Sequence, residues 1–185
     1  VSTAYLHSEI DKDIYVKPPP ELEQSGKVWL LKRSLYGLKQ SGRNWYLHLS
    51  SLLKKCGLTQ SDADPGLFFN LEKRIYVLIY VDDILVIAPS DEEMRNLFAE
   101  LAKALKIKDL GPVTRFLGWQ VERKESHFEV HQTDYIDVLL QRYEMIDCDI
   151  ASTPMARFEL DDAKQEVDAG LPVREIVGSL LYLAF

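Results

Sequence analysis

The sequence predicts an α+β fold, an antiparallel sheet with helices packed on one face. Three observations predict it. Two apolar strands flank Asp82-Asp83 in a tight hairpin, a capped amphipathic helix follows at once, and a further hairpin follows the helix. The chain has 185 residues, 46% of them apolar and 28% charged. That is an ordinary globular balance, which excludes disordered, collagen-like and mucin-like classes. The length suits one domain with a sizeable core and is short for two full ones.

The elements follow in order. Val1–Ile10 reads as a short strand running into a helix. Pro18-Pro19-Pro20 bars regular structure and marks an extended loop. Val28–Leu31 is short and apolar, a strand. Trp45, Tyr46, Leu49, Leu52, Leu53 and Cys56 recur at helical spacing, and Gly57 stops that helix. Asp64-Pro65-Gly66 is a turn, after which Leu67–Asn70, Ile75–Val81 and Ile84–Ala88 read as strands. The last two form a hairpin with two carboxylates at its tip. Ser90 with Glu93 is a capping box, opening a helix with Leu97, Phe98, Leu101, Ala102 and Leu105 on one face. Gly111-Pro112 breaks the pattern. Arg115–Arg123 and His127–His131 form the second hairpin, and Thr133 caps a helix with Ile136, Leu139, Leu140 and Tyr143 inward. Residues 150–170 are acidic and aperiodic, a loop or linker, and Pro172 starts a last helix through Leu183.

The longest apolar runs, 75–81 and 84–88, fall far short of the ~20 residues that span a bilayer. No signal peptide is expected at the start of this sequence, because Val1–Leu6 is followed at once by His7, Glu9, Asp11 and Lys12. Cys56 and Cys148 alone build no disulfide framework, so a reducing compartment is expected. The chain starts at Val1 and stops at Phe185 inside an apolar run, so it is expected to be a piece of a longer polypeptide.

The net charge of −7 is adverse to a nucleic-acid partner, but its distribution is uneven. Between Gln24 and Ser61 there is no Asp or Glu, while Lys27, Lys32, Arg33, Lys39, Arg43, Lys54 and Lys55 are all positive. A local basic surface is what phosphate contacts need. The plain alternative is a set of solvated charges on a helix and hairpin.

Tyr80-Val81-Asp82-Asp83 is the sharpest feature. Burying an unpaired carboxylate inside an apolar strand costs several kcal/mol. At a hairpin tip facing a cation the same carboxylates are tolerable. Mg²⁺ takes hard oxygen ligands, usually one or two carboxylates plus substrate phosphates. Two ions ~4 Å apart can activate a hydroxyl and stabilise the leaving oxygen of an in-line displacement. That needs a third carboxylate from a neighbouring strand. The alternative is a polar turn with ordinary acids.

Tyr80–Asp83 resembles the catalytic hairpin of reverse transcriptases, and nearly the whole chain is similar to the copia-type branch of long-terminal-repeat retrotransposon polymerases. The resemblance rests on Ala4-Tyr5-Leu6, Ile14–Lys17, Leu35–Gln40, Arg43, Trp45-Tyr46, Ala63-Asp64-Pro65, Tyr80–Asp83, Lys108–Gly111, Phe116-Leu117-Gly118, Tyr135-Ile136 and Ser152-Thr153-Pro154. It implies a palm-like antiparallel sheet, part of the fingers and the start of the thumb. Residues 1–131 would be the N-terminally truncated palm with part of the fingers, 132–149 the start of the thumb, and 150–185 a linker and helix toward the next module.

The resemblance also implies roles. Asp82 and Asp83 would be the catalytic metal ligands, holding two Mg²⁺ ions, with Mn²⁺ as a substitute. The first catalytic aspartate of the family stands directly before the position of Val1, so this chain alone is expected to be inactive. Tyr5 matches the aromatic that excludes a ribose 2′-hydroxyl, since a flat ring leaves no room for the extra oxygen. Thr3, Ala4 and Tyr5 would offer backbone amides to the triphosphate. Gly37 would let backbone approach the nucleotide, and Lys39 and Arg43 would contact template phosphates. Phe116, Leu117, Gly118 and Trp119 match the hairpin that grips the primer 3′ end. Lys108 or Lys106 would be the general acid that protonates pyrophosphate. Ser41, Gly42 and His7-Ser8 depart from the common family residues. The implied partners are an RNA or DNA template with its primer, deoxynucleoside triphosphates, and adjacent integrase and ribonuclease H modules, with no membrane. The implied location is intracellular, in a cytoplasmic virus-like particle.

Two other readings stay open at this point. One is a non-catalytic, degenerate nucleic-acid-binding relic of such an element. The other is a different two-metal palm-type enzyme such as a nucleotidyl cyclase, against which the Gly37–Arg43 and Phe116–Gly118 matches speak. His127 and His131 are four apart with no Glu in metalloprotease spacing, so a surface strand is expected there. The two cysteines make no Cys₄ or Cys₂His₂ set, and no Gly-x-x-x-x-Gly-Lys loop occurs.

Overall fold

The computed structural model describes residues 1–22, 26–153 and 170–184. They form an α+β arrangement of antiparallel sheets and four α-helices, divided into two compact units, Val1–Gly111 and Pro112–Phe185. The division falls at Gly111-Pro112, where the helical pattern of the sequence breaks, and not at the expected 131/132 boundary.

The first unit opens differently from the sequence expectation. Val1–Ile10 holds no strand of the sheets; Ala4–His7 is a single 3-10 turn. The segment is too short to bury a face of its own, and Ala4 and Ser8 are taken into the interior of the unit instead. It is laced to residues 33–34 by the Ser34 N–H to Ser8 carbonyl bond (3.0 Å) and the Glu9–Arg33 bridge. The strands β1 (Tyr15–Val16) and β2 (Trp29–Leu30) pair antiparallel, and the proline run ends in a 3-10 turn at Pro20–Leu22.

Helix α1 (Ser41–Lys55) leads into β3 (Thr59–Gln60), β4 (Leu67–Asn70), β5 (Ile75–Tyr80), β6 (Asp83–Ile87) and helix α2 (Asp91–Ala102). The four strands make one sheet in the order β3-β4-β5-β6, every pair antiparallel. Because side chains alternate along a strand, the register sets the inner face. Phe68 lies opposite Val77, which lies opposite Val86, and Ile79 lies opposite Ile84. Those residues pack with Trp45, Leu49 and Leu53 from α1 and with Leu97, Leu101 and Leu105 from α2 and just beyond it. Spacing by four puts each helical set on one stripe. Burying each large apolar side chain is worth roughly 1.5–3 kcal/mol. Ala102 is exposed, so the α2 stripe is narrower than expected. The Ser90 hydroxyl accepts the Glu93 N–H at 3.3 Å, while the Glu93 carboxylate faces Lys73 at 3.9 Å. Only half of the capping box forms.

In the second unit the expected strand 115–123 is broken. β7 (Arg115–Phe116) turns at Leu117-Gly118 into β8 (Trp119–Arg123), which pairs with β9 (Phe128–His131). Helix α3 (Thr133–Arg142) starts at Thr133, but the cap position is Gln132, whose own side chain makes no cap bond. Instead the Gln120 side chain accepts the Asp134 N–H at 2.8 Å, and Asp134 pairs with Arg115. Leu139 is buried, whereas Ile136 is 43% exposed, against the expected inward face. Helix α4 (Val173–Ala184) begins after Pro172, whose carbonyl accepts from Glu175 and Ile176. Most of the expected 150–170 linker, residues 154–169, lies outside the described residues. Among the described residues, no helix is long and apolar enough to cross a membrane.

Candidate active site

The β5–β6 hairpin closes on the Tyr80–Asp83 pair, leaving Val81 and Asp82 as its turn. Asp82 therefore stands at the tip, and Asp83 is the first residue of β6. The sequence reading had put both carboxylates in the tip. Val81, the first of the two turn residues, has φ +51°. Glycine usually fills that position, and a β-branched residue there is strained, a condition concentrated at functional sites. Two bonds tie the turn. The buried Trp45 indole N–H donates to the Val81 carbonyl at 2.5 Å, and the Val1 amine donates to the Asp82 carbonyl at 2.5 Å.

Asp82 and Asp83 are exposed, and no cluster of three or more His, Cys, Asp or Glu side chains forms among the described residues. A pair of exposed carboxylates on a turn suits a hard cation that completes its shell with water and phosphate oxygens, not a closed protein cage.

Beside this turn lie the first residues of the chain. Thr3 is left-handed (φ +53°, ψ +46°), Ala4 is buried, and the Ser2 N–H donates to the Lys106 carbonyl at 2.9 Å. Tyr5 is half-buried and stacks on Tyr36, ring centroids 4.3 Å apart and planes at 28°. A Cβ added at Gly42 would sit 3.6 Å from the Tyr5 hydroxyl. The 36–43 segment thus borders Tyr5, bringing Gly37, Lys39 and Arg43 to the same unit as the hairpin. Gly37 has φ +95° with open space where a side chain would be, and Lys39 and Arg43 are exposed. Ser41, a departure from the family pattern, donates its hydroxyl to the Leu35 carbonyl at 2.6 Å and so closes the turn before α1. The Lys106 and Lys108 side chains are exposed; the Ser2 bond ties the Lys106 backbone to the start of the chain.

On α1, His48 lies 6.1 Å from Trp45, and burial, with help from His7, Arg33 and Lys55, lowers its pKa. Burial, and then Glu100, push the Cys56 thiol upward.

The expected primer-gripping residues belong to the second unit. Leu117 (φ +51°) and Gly118 (φ +88°) make a left-handed pair, the I′ turn that tight hairpins prefer. The Tyr182 hydroxyl donates to the Leu117 carbonyl at 3.3 Å, and a Cβ on Gly118 would collide with that hydroxyl. Tyr135 meets the Tyr182 ring edge-on at 5.0 Å. Phe116 and Trp119 are half-buried. On the far part of this sheet, Lys124 bonds Glu122 and holds its carboxyl below the usual range; His131 faces Glu122 and His127 faces Glu129.

Trp45, Tyr36 and Tyr182 act on the predicted residues and were missed as partners. Their contacts span long sequence separations, and no local pattern reports where an indole N–H or a phenol will land.

Residues 1–157 match the family model described as reverse transcriptase (RNA-dependent DNA polymerase). The chain is 33% identical to the retrovirus-related Pol polyprotein from transposon TNT 1-94 of Nicotiana tabacum, over 98% of this chain and 15% of that protein. It is 33% identical to a transposon Ty5-1 protein of Saccharomyces cerevisiae, over 100% of this chain and 62% of that one. With the retrovirus-related Pol polyprotein from transposon RE1 of Arabidopsis thaliana the identity is 34%, over 100% and 13%. The chain spans less than two thirds of the length of each. No solved structure matches it significantly.

Proposed function

From a chain that belongs to the reverse transcriptase family, in the branch found in Pol polyproteins of Ty1/copia-type retrotransposons, we propose the core of an RNA-directed DNA polymerase. The reaction is template-directed deoxynucleotidyl transfer: a primer 3′-hydroxyl attacks the α-phosphate of a deoxynucleoside triphosphate, and pyrophosphate leaves. One observation carries the reading. The Asp82 turn and the first residues of the chain meet, through the Val1 amine and the Asp82 carbonyl at 2.5 Å. That is where the family resemblance expects a further carboxylate.

Asp82 and Asp83 would hold the divalent ions that reverse transcriptases generally use, Mg²⁺ in this reading. The chemistry supplied by bound ions is a lowered pKa for the attacking hydroxyl and neutralisation of charge on the leaving oxygen. The remaining work falls to the chain. Tyr5, braced by Tyr36, would close the sugar pocket against a 2′-hydroxyl. The backbone of Thr3, Ala4 and Tyr5 would border the triphosphate. Lys39 and Arg43 would attract template phosphates without reading sequence. Lys106 or Lys108 would give a proton to pyrophosphate. Positioning and charge neutralisation dominate phosphoryl transfer of this kind. Phe116–Trp119 would hold the primer end. In this proposal the Asp82 sheet is the palm, residues 132–149 begin the thumb, and the polyprotein works with integrase and ribonuclease H modules in a cytoplasmic particle. The family match gives the nucleotidyl cyclase and relic readings no support.

In a polymerase that contains these residues, Asp82→Asn is expected to lower primer extension by on the order of 10³-fold or more. The melting temperature should not change, because Asp82 is exposed. Ordinary extension by that variant would refute the assignment. Salt-sensitive primer–template binding without extension by the unmutated protein would leave the relic.

A further inference from the structure

We infer that Trp45 is a positioning residue of this site, whose indole N–H holds the Val81 carbonyl and so keeps the strained turn that presents Asp82. The inference rests on the proposed role of Asp82 and deepens it. Val81 is β-branched yet sits at φ +51°, a conformation its side chain disfavours, so something must hold it. Trp45 is the group in contact. It is 2% exposed, and a buried indole N–H needs an acceptor. Its acceptor is neither solvent nor its own helix but the turn carbonyl, 36 residues away, at 2.5 Å.

The indole is itself immobile. One and two helical turns further on, Leu49 and Leu53 are fully buried in the core cluster, which fixes the axis and rotation of α1. The helix therefore delivers a rigid donor to the hairpin. The next carbonyl of the turn, on Asp82, is held from the other side by the Val1 amine. With both carbonyls engaged, the peptide planes flanking Asp82 cannot rotate freely. Trp45 touches no reacting group; it acts through Val81.

A polymerase that contains these residues together with the further carboxylate the resemblance expects tests this, with Mn²⁺ as the probe and proton relaxation as the readout. Trp45→Phe keeps an aromatic ring and removes the donor. It is expected to weaken Mn²⁺ binding about tenfold, equivalent to about 1.4 kcal/mol. Adding Val81→Gly should return the affinity to within about threefold of the unmutated polymerase, since glycine keeps a positive φ unaided. Unchanged Mn²⁺ binding in Trp45→Phe, or no recovery in the double variant, would overturn the inference. Asp82→Asn separates the two layers. If it abolishes Mn²⁺ binding while Trp45→Phe does not alter it, the role of Trp45 alone is lost. If it leaves Mn²⁺ binding intact, or if the polymerase binds no Mn²⁺, the carboxylate reading fails and this one with it. Should Trp45→Phe not fold by circular dichroism, a benzothiophene analogue of tryptophan at position 45 keeps the ring size, lacks the N–H and decides the same question.

Discussion

Replacing Gly118 with alanine is expected to destabilise the β7–β8–β9 sheet by about 2–5 kcal/mol, most of it through Tyr182. The backbone at Gly118 has φ +88°, and an L-residue held in left-handed geometry loses roughly 1–2 kcal/mol. The new methyl would run into the Tyr182 hydroxyl, which must swing away. That breaks its bond to the Leu117 carbonyl, worth roughly 0.5–1.5 kcal/mol, and its edge-on contact with Tyr135, worth a similar ~0.5–1.5 kcal/mol. A Tyr182→Phe background removes the obstacle. The next ring atom lies 3.6 Å from the methyl position, an ordinary contact, so there Gly118→Ala should cost only the backbone part, about 1–2 kcal/mol. The double-mutant cycle therefore predicts a coupling of roughly 1–3 kcal/mol. Amide hydrogen exchange of β8 and β9 in the four proteins measures it locally, without assuming that the two units unfold together. Equal costs of Gly118→Ala in both backgrounds would refute the packing of Tyr182 on this turn.

Two further predictions concern titratable groups. The folded state lowers the His48 pKa from its usual 6.5, so folding favours neutral imidazole. Stability is whole above pH ~6.5 and falls as the pH drops from there toward the folded pKa; His48→Gln should flatten that limb of a pH series of melting temperatures, and an unchanged slope would discount the burial of His48. Cys148 is exposed, whereas Cys56 is half-buried with its thiol pushed upward, so a neutral-pH disulfide reagent should label Cys148 first, as peptide mapping would reveal.

The elements legible in the sequence were those with a long, unmixed period. Trp45, Leu49 and Leu53 fix α1, and Leu97, Leu101 and Leu105 fix α2, because one buried stripe repeats over several turns. The β4–β5–β6 meander announces itself by two turns between apolar runs. Short segments fared worse. Residues 1–10 look strand-like in composition, but their conformation is set by Ser34, Arg33 and Lys106, which no local pattern reveals. The break in 115–123 was legible through the motif Phe116–Trp119, which matches a hairpin, but not through periodicity, because the flanking strand β7 has only two residues. Of the candidate site, the carboxylate hairpin and the Tyr5 region were legible through motif. The shift of Asp83 from the tip into β6 was not, since a one-residue register depends on the turn type that Trp45 and Val81 settle between them.

The way this site is tied together also orders its assembly. The sheet from β3 to β6 joins consecutive neighbours, and such local pairings close quickly. The Val1–Asp82 bond spans 81 positions, and Ser2 has nothing to grasp until Lys106 has left the ribosome. Val1 and Ser2 therefore reach these partners only after the scaffold they dock against has been synthesised. A pause in translation before α2 would hold back this docking while sparing the meander.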